Sequence, residues 1–404
     1  MKIRSITYFM NLGDGDEAAI AEAGRFVQEA KDAYDEAGYE VQTVRLATQS
    51  FSGIVRGMKD SAIWAAAMER RAMEVGFGYL SLGPAMENNL EDFTRIPGMI
   101  AATENTFFSG MMNTGERISM EAIKACARVI AETAGIEADG FANLRFTAMA
   151  NMPPGSPFFP AGYHGGGPPR FAIATEAADL AVEAFEEAES MEDGQRRLRR
   201  SLEQHGKKIE QVGERLAKEK GVEFGGIDFS LAPFPEEALS IGTAFERMGV
   251  SKVGLHGSLA AAAILMDALE RAEFKRAGFS GLILPMLEDS TLAKRAAEGR
   301  LGVKDLLVYS AVCGTGLDTV PVPGDTSVEQ LTALLLDVAA LSQRLGKPLT
   351  ARLMPVPGKK AGEETTFDFP FFVNSRVLAI DSEALTGLLA DSKSLEIRKR
   401  IPRD

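Results

Sequence analysis

A cysteine followed by Gly-Thr-Gly is the first place in this sequence where chemistry could reside. Cys313 stands in Val312-Cys313-Gly314-Thr315-Gly316-Leu317-Asp318. A thiolate is both a nucleophile and a proton-transfer group, and flanking glycines let the backbone approach a ligand closely. Asp318 follows on the same loop and could orient a substrate or a cation. The competing reading is packing, because free cysteine is among the most buried residue types.

A second focus is Gly162-Tyr163-His164-Gly165-Gly166-Gly167. His164 among these glycines could move protons near neutral pH or hold an oxyanion. It could equally be a turn histidine bonded to backbone. The glycines do not spell Gly-x-Gly-x-x-Gly after a strand, which rules out a dinucleotide fingerprint.

Polar residues also recur at the expected ends of strands, where ligands gather in parallel α/β folds. They are Arg45, Glu104, Asn113, Asp228, Ser230, Glu288, Asp318 and Arg352. Arg45 and Arg352 could bind a carboxylate or phosphate bidentately. Each one alone is more often a cap or a surface ion pair, so the argument rests on their recurrence. Acidic side chains of this kind could hold Mg²⁺ or Ca²⁺, but no spacing demands a metal, and the cofactor stays open.

The elements that must position these residues alternate from end to end. Hydrophobic periodicity predicts strands over residues 3–9, 40–46, 75–82, 106–112, 143–150, 224–231, 281–287, 306–312 and 350–355, with 369–380 strand-like. It predicts helices over 16–37, 60–74, 119–134, 170–189, 235–248, 255–274, 290–298, 328–345 and 382–390. Gly38 closes the first helix and Ser119 caps the third. The charged stretch 193–220 reads as an amphipathic helix that protrudes or packs on a neighbouring subunit. The basic tail beyond 390 is expected to fray. Strand–helix alternation implies parallel sheet with helical crossovers. No linker divides the chain, so one domain over 1–404, a closed or nearly closed α/β barrel, is the expectation.

The 404 residues are 45% hydrophobic and 25% charged, enough for a large core. A net charge of −13 argues against nucleic acid and anionic membrane as partners. No apolar run reaches membrane-spanning length, and the N-terminus has no signal-peptide order. Two cysteines, Cys126 and Cys313, allow no disulfide framework and point to a reducing cytoplasm. The expected partner is a small molecule, with a homo-oligomer compatible with the charged helix.

Six segments (2–10, 157–176, 225–233, 281–289, 309–325 and 352–362) resemble those of the UPF0210/DUF711 family. The most specific stretches are Val312-Cys313-Gly314-Thr315-Gly316-Leu317-Asp318-Thr319 and Pro355-Val356-Pro357-Gly358-Lys359-Lys360. The resemblance implies a fold like the ten-stranded α/β barrel of pyruvate formate-lyase and ribonucleotide reductase, where a loop cysteine inside the barrel forms a thiyl radical. Cys313 occupies a comparable loop. The radical glycine of glycyl radical enzymes has no counterpart, since Ala379 stands in its place in Arg376-Val377-Leu378-Ala379-Ile380. No glycyl radical is therefore expected. The resulting expectation is a non-radical enzyme for a small carboxylate- or phosphate-bearing metabolite. Cys313 and His164 would be catalytic, and acyl transfer, hydrolysis and C–C lysis all remain open. The other reading is a metabolite-binding or regulatory protein that keeps the barrel without catalysis.

Overall fold

The computed structural model describes residues 1–13 and 17–400. Asp16, the expected start of the first helix, lies outside them. The strands in chain order are β1 (Lys2–Met10), β2 (Val41–Thr48), β3 (Tyr79–Ala85), β4 (Thr106–Met111), β5 (Asn113–Thr114), β6 (Arg117–Ser119), β7 (Phe146–Ala150), β8 (Arg170–Glu176), β9 (Glu223–Asp228), β10 (Gly316–Pro323), β11 (Leu349–Val356) and β12 (Ser394–Glu396).

Nine of these form one large sheet in the order β10-β11-β7-β4-β3-β2-β1-β8-β9. The run β1-β2-β3-β4-β7 is parallel throughout. So are the pairs β8-β9 and β10-β11. The two groups run antiparallel where they meet, at β1 with β8 and at β7 with β11. Helices cover the outer face, as parallel sheets require. The edge strands β9 and β10 both reach toward the segment 281–286. Isolated parallel bridges join Leu231 to Leu282 and Pro285 to Asp318. Leu231 N donates to Gly281 O at 3.1 Å, and Met286 N to Asp318 O at 3.0 Å.

Several sequence expectations need correction. Residues 306–312 are not a strand; the helix Val303–Tyr309 occupies most of them. The run Leu306-Leu307-Val308 has no alternation, and Asp305 Oδ2 accepts from Gly302 N at 2.9 Å, which fixes a helix start. The strand lies later, at β10, where the sequence suggested a stiffened exit loop. Residues 170–176 are strand β8, while only Ala178–Glu186 is helical. Residues 281–287 join the sheet only through bridges, and 369–380 forms no strand beyond a bridge between Glu364 and Arg376. The tail is not wholly frayed: β12 pairs with β6.

The charged helix Met191–Lys220 lies flat against the fold rather than protruding. Its buried positions, Gly194, Leu198, Leu202, Gly206, Ile209, Gly213 and Leu216, recur every three or four residues and make one stripe. Its glycines let aromatic rings close on the backbone. A Cβ at Gly213 would stand 2.7 Å from the Phe224 ring. Gly213→Ala is therefore expected to cost about 1–3 kcal/mol by overpacking, despite alanine's better helix propensity. Urea denaturation of the variant checks this, and unchanged or raised stability would count against it.

Candidate active site

One cavity of about 140 Å³ opens among the strands and gathers most of the polar residues singled out in the sequence. Its wall includes Arg45, Asp228, Ser230, Glu288, Asp318 and Arg352. Arg4, Gln42, Thr43 and Glu176 join them, with Tyr79, Phe107, Phe158 and Phe159 as apolar surface. The volume is close to that of a cavity that takes one benzene-sized molecule. No cysteine, lysine or histidine is among the lining residues.

An ion chain runs along one wall. Arg4 Nη2 pairs with Glu288 Oε2, Arg352 Nη2 donates to Glu288 Oε1 at 3.1 Å, and Arg352 Nε donates to Asp318 Oδ1 at 2.6 Å. Glu288, Asp318 and Arg352 are buried. Two cations against two carboxylates make the chain neutral, which is what lets it persist away from water. Burial opposes the charge of Glu288, but Arg4 and Arg352 hold its carboxyl below the usual carboxylate range. Burial pushes Asp318 up, with Arg352 pulling the other way.

Bulges deliver two members of this chain. In the β1–β8 pairing Ile3 faces Thr175 and Ser5 faces Ala174, so Arg4 is an extra residue. In the β10–β11 pairing Leu317 faces Ala351 and Val320 faces Leu353, so Asp318 and Thr319 together oppose Arg352. Thr319 has φ +44°, a conformation that β-branched residues rarely adopt. A bulge re-aims a side chain, and here it turns Asp318 onto the guanidinium of Arg352.

Arg45 is arranged differently. Its Cζ lies 5.5 Å from the ring centre of Tyr79 and 5.3 Å from that of Phe159. Its Nε donates to Thr43 Oγ1 at 2.9 Å. Among the described residues it makes no ion pair, and its one side-chain bond to protein is that from Nε, which leaves its terminal nitrogens open to the cavity. Burial, and next the positive charge of Arg4, lower its proton affinity. A guanidinium with open donors on a cavity wall has the chemistry to receive an anion.

Asp228 closes the far side at the end of β9. Its Oδ1 accepts from Ser230 Oγ at 2.5 Å and Ser280 N at 2.8 Å, and its Oδ2 from Phe279 N at 3.0 Å. Gly278, with φ +57°, leaves the room that this carboxylate fills. Burial outweighs those donors and pushes the acid up to about 6. Glu176, at the end of β8, is also pushed up by burial and accepts from Gln42 Nε2 at 2.8 Å.

The remaining sequence candidates lie elsewhere. Cys313 is fully buried on the turn between the helix Val303–Tyr309 and β10. Its amide bonds to Tyr309 O at 2.7 Å, and its carbonyl accepts from Lys347 Nζ. The thiol is thus not on the cavity wall, and a nucleophile with no access cannot meet a substrate. His164 sits beside Thr48, its amide donating to Thr48 O at 2.9 Å, whereas the cavity meets β2 at Gln42, Thr43 and Arg45. Its Nε2 is 3.4 Å from Gly167 O, and burial lowers its proton affinity. Asn113 belongs to a buried amide cluster, donating to Asn151 Oδ1 at 2.7 Å and Gln343 Oε1 at 2.9 Å. Glu104 is exposed, its amide bonded to Glu69. No group of three His, Cys, Asp or Glu side chains that could hold a metal occurs among the described residues.

Labelling follows from these positions. Iodoacetamide is expected to modify Cys313 only after unfolding, and Cys313→Ala should leave ligand binding at the cavity unchanged. Rapid labelling of the native protein, read by mass spectrometry, would contradict this placement.

Sequence reasoning missed Arg4, Gln42, Thr43 and Glu176. Arg4 had a signal, as a lone cation inside the apolar run Ile3–Phe9. Glu176 was hidden by reading β8 as helix.

Comparison with known proteins gives the family. A family model described as "Uncharacterised ACR (DUF711)" matches residues 1–374. The chain belongs to the DUF711, or UPF0210, family. A UPF0210 protein of Methanopyrus kandleri is 33% identical over 373 residues, covering 87% of this chain and 82% of the relative. One from Desulforudis audaxviator is 32% identical over 400 residues, covering 91% and 88%. The family match over residues 1–374 includes every residue of the cavity wall, from Arg4 to Phe371, in this UPF0210 chain.

Proposed function

We propose that the protein is an enzyme acting on a small carboxylate- or phosphate-bearing metabolite by proton transfer in this cavity. The observation that carries the reading is Arg45, a buried guanidinium bonded to protein from Nε, with its terminal nitrogens open to the cavity. Such a group costs stability unless an anion completes it. Asp228, pushed up to about 6, supports the catalytic half, because an acid poised near neutral pH can give and take a proton. The rings of Tyr79 and Phe159 flank Arg45.

The fold reading goes further in the same direction. We infer that the nine-stranded sheet and the segment 281–286 form a ten-stranded barrel around the cavity. The bridges at Leu282 and Pro285 support it, each reaching one edge of the sheet. The two antiparallel seams then divide the wall into two groups of five. Two buried free cysteines support a reducing cytoplasm as the setting. No described helix is long and apolar enough to cross a membrane.

A second reading is a metabolite-binding protein without catalysis. The ion chain favours it, since Glu288 and Asp318 are already engaged by guanidiniums and leave Asp228 as the acid with the clearest proton-transfer role. Thermal-shift titration with lactate, glycerate and inorganic phosphate tests the shared core, with stabilisation expected for at least one. Proton exchange at Cα of the stabilising acid, followed by NMR in D₂O, separates the readings. Exchange should depend on a group titrating near 6 and vanish in Asp228→Asn. Binding without exchange would leave only the binding protein, and no binding would overturn both.

A further inference from the structure

The charges of the cavity do not balance by its ion chain alone. Arg4, Glu288, Arg352 and Asp318 compensate one another. That leaves Arg45 without a direct ion pair, and Glu176 drawn on by the charges of Arg4 and Lys2 but paired directly with neither. Glu176 is buried, and only its Oε2 has a hydrogen-bond partner, Gln42 Nε2. Among the described residues it makes no ion pair.

Resting on the anion reading of Arg45, we propose that the ligand is a small zwitterion: an anionic group held by Arg45 and a protonated amine held by Glu176, the composition of an α-amino acid. Geometry supports the pairing. Arg45 and Glu176 line the same cavity, and Gln42, which holds Glu176, belongs to the strand that carries Arg45. An α-amino acid carries its carboxylate and ammonium on one carbon, so one small body can meet two groups of a single cavity. The cavity of about 140 Å³ admits a body of that size and little more. An amine also relieves the burial that pushes Glu176 up, just as a carboxylate relieves Arg45.

Isothermal titration of the full chain tests this with matched probes: L-alanine, L-serine and L-glutamate against lactate, glycerate and 2-hydroxyglutarate, with phosphate as the plain anion. At least one amino acid is expected to bind tenfold or more tightly than its hydroxy analogue. Glu176→Gln, which keeps the shape and the bond to Gln42, should erase that ratio while leaving the hydroxy acid within about twofold. Hydroxy acids or phosphate binding as well as every amino acid, in an Arg45-dependent way, would overturn the zwitterion and leave the anion reading standing. No binding of any probe would overturn both. A ratio retained in Glu176→Gln would remove Glu176 as the amine site. If that variant does not fold, the wild-type ratio decides alone.

Discussion

Arg45→Met should raise the stability of the protein while removing its ligand. The two effects have one cause. A guanidinium on a cavity wall, with only Thr43 Oγ1 as acceptor, has lost much of its hydration without gaining an ion partner. Removing an uncompensated buried charge and filling its volume with an apolar chain is expected to stabilise by about 1–2 kcal/mol. It also ends the repulsion from Arg4, the second cause of the lowered proton affinity of Arg45. Methionine fits because Tyr79 and Phe159 already line the path of the side chain. Affinity for small carboxylates should fall on the order of 100-fold, the worth of one or two charge-assisted hydrogen bonds. Guanidinium chloride denaturation reads the first effect and calorimetric titration the second. A destabilised variant that still binds would contradict both halves. The trade itself is the mark of a functional group, since stability is given up where binding needs it.

Glu288→Gln should do the reverse, and by more. Glu288 contacts Arg4 and Arg352 at once, and its side chain is only 6% exposed. The amide keeps the volume but removes the charge that Arg4 and Arg352 share, leaving Asp318 for Arg352 and the more distant Glu176 for Arg4. Breaking a buried pair in this way costs about 3–5 kcal/mol. The loss must depend on pH. A carboxyl held below its unfolded value, near 4.3 for glutamate, contributes stability that is present above that pH and lost as pH falls through the folded value. The gap between wild type and Glu288→Gln should thus be full at pH 7 and close below about 4. Asp228 has the opposite sign. Its acid is raised to about 6, so its contribution is fullest below about 4 and fades as pH rises through 6. Denaturation at pH 3, 5 and 7 separates them, and a gap independent of pH would show that Glu288 acts through shape alone.

The class of fold and the polar half of the site were legible in the residues. Alternating apolar runs placed β1, β2, β4 and β11 within a few residues, because a strand buried on both faces has a composition that few other environments allow. Ser119 was readable as a cap, and its Oγ accepts from Ala122 N at 3.1 Å. Polar residues inside such strands are costly to bury, so Arg45, Asp228, Glu288 and Arg352 stood out wherever the strands were found. The short apolar run 306–312 was ambiguous, since periodicity alone cannot separate a buried strand from a buried helix. That ambiguity put Cys313 at a strand tip.

What the sequence determined, then, was which side chains could not be there for packing alone. Which of them meet was decided by the tertiary structure. The antiparallel seam between β1 and β8 brings the beginnings of β1, β2 and β3 beside the ends of β8 and β9. Arg4, Arg45 and Tyr79 therefore line one cavity with Glu176 and Asp228, a meeting of strand beginnings with strand ends. Two bulges then turn Arg4 and Asp318 inward against the local alternation. Register and bulges arise from pairing between strands far apart in the chain, and no local window of residues encodes them. The same long-range packing sealed Cys313 away, leaving the charges rather than the thiol to line the cavity.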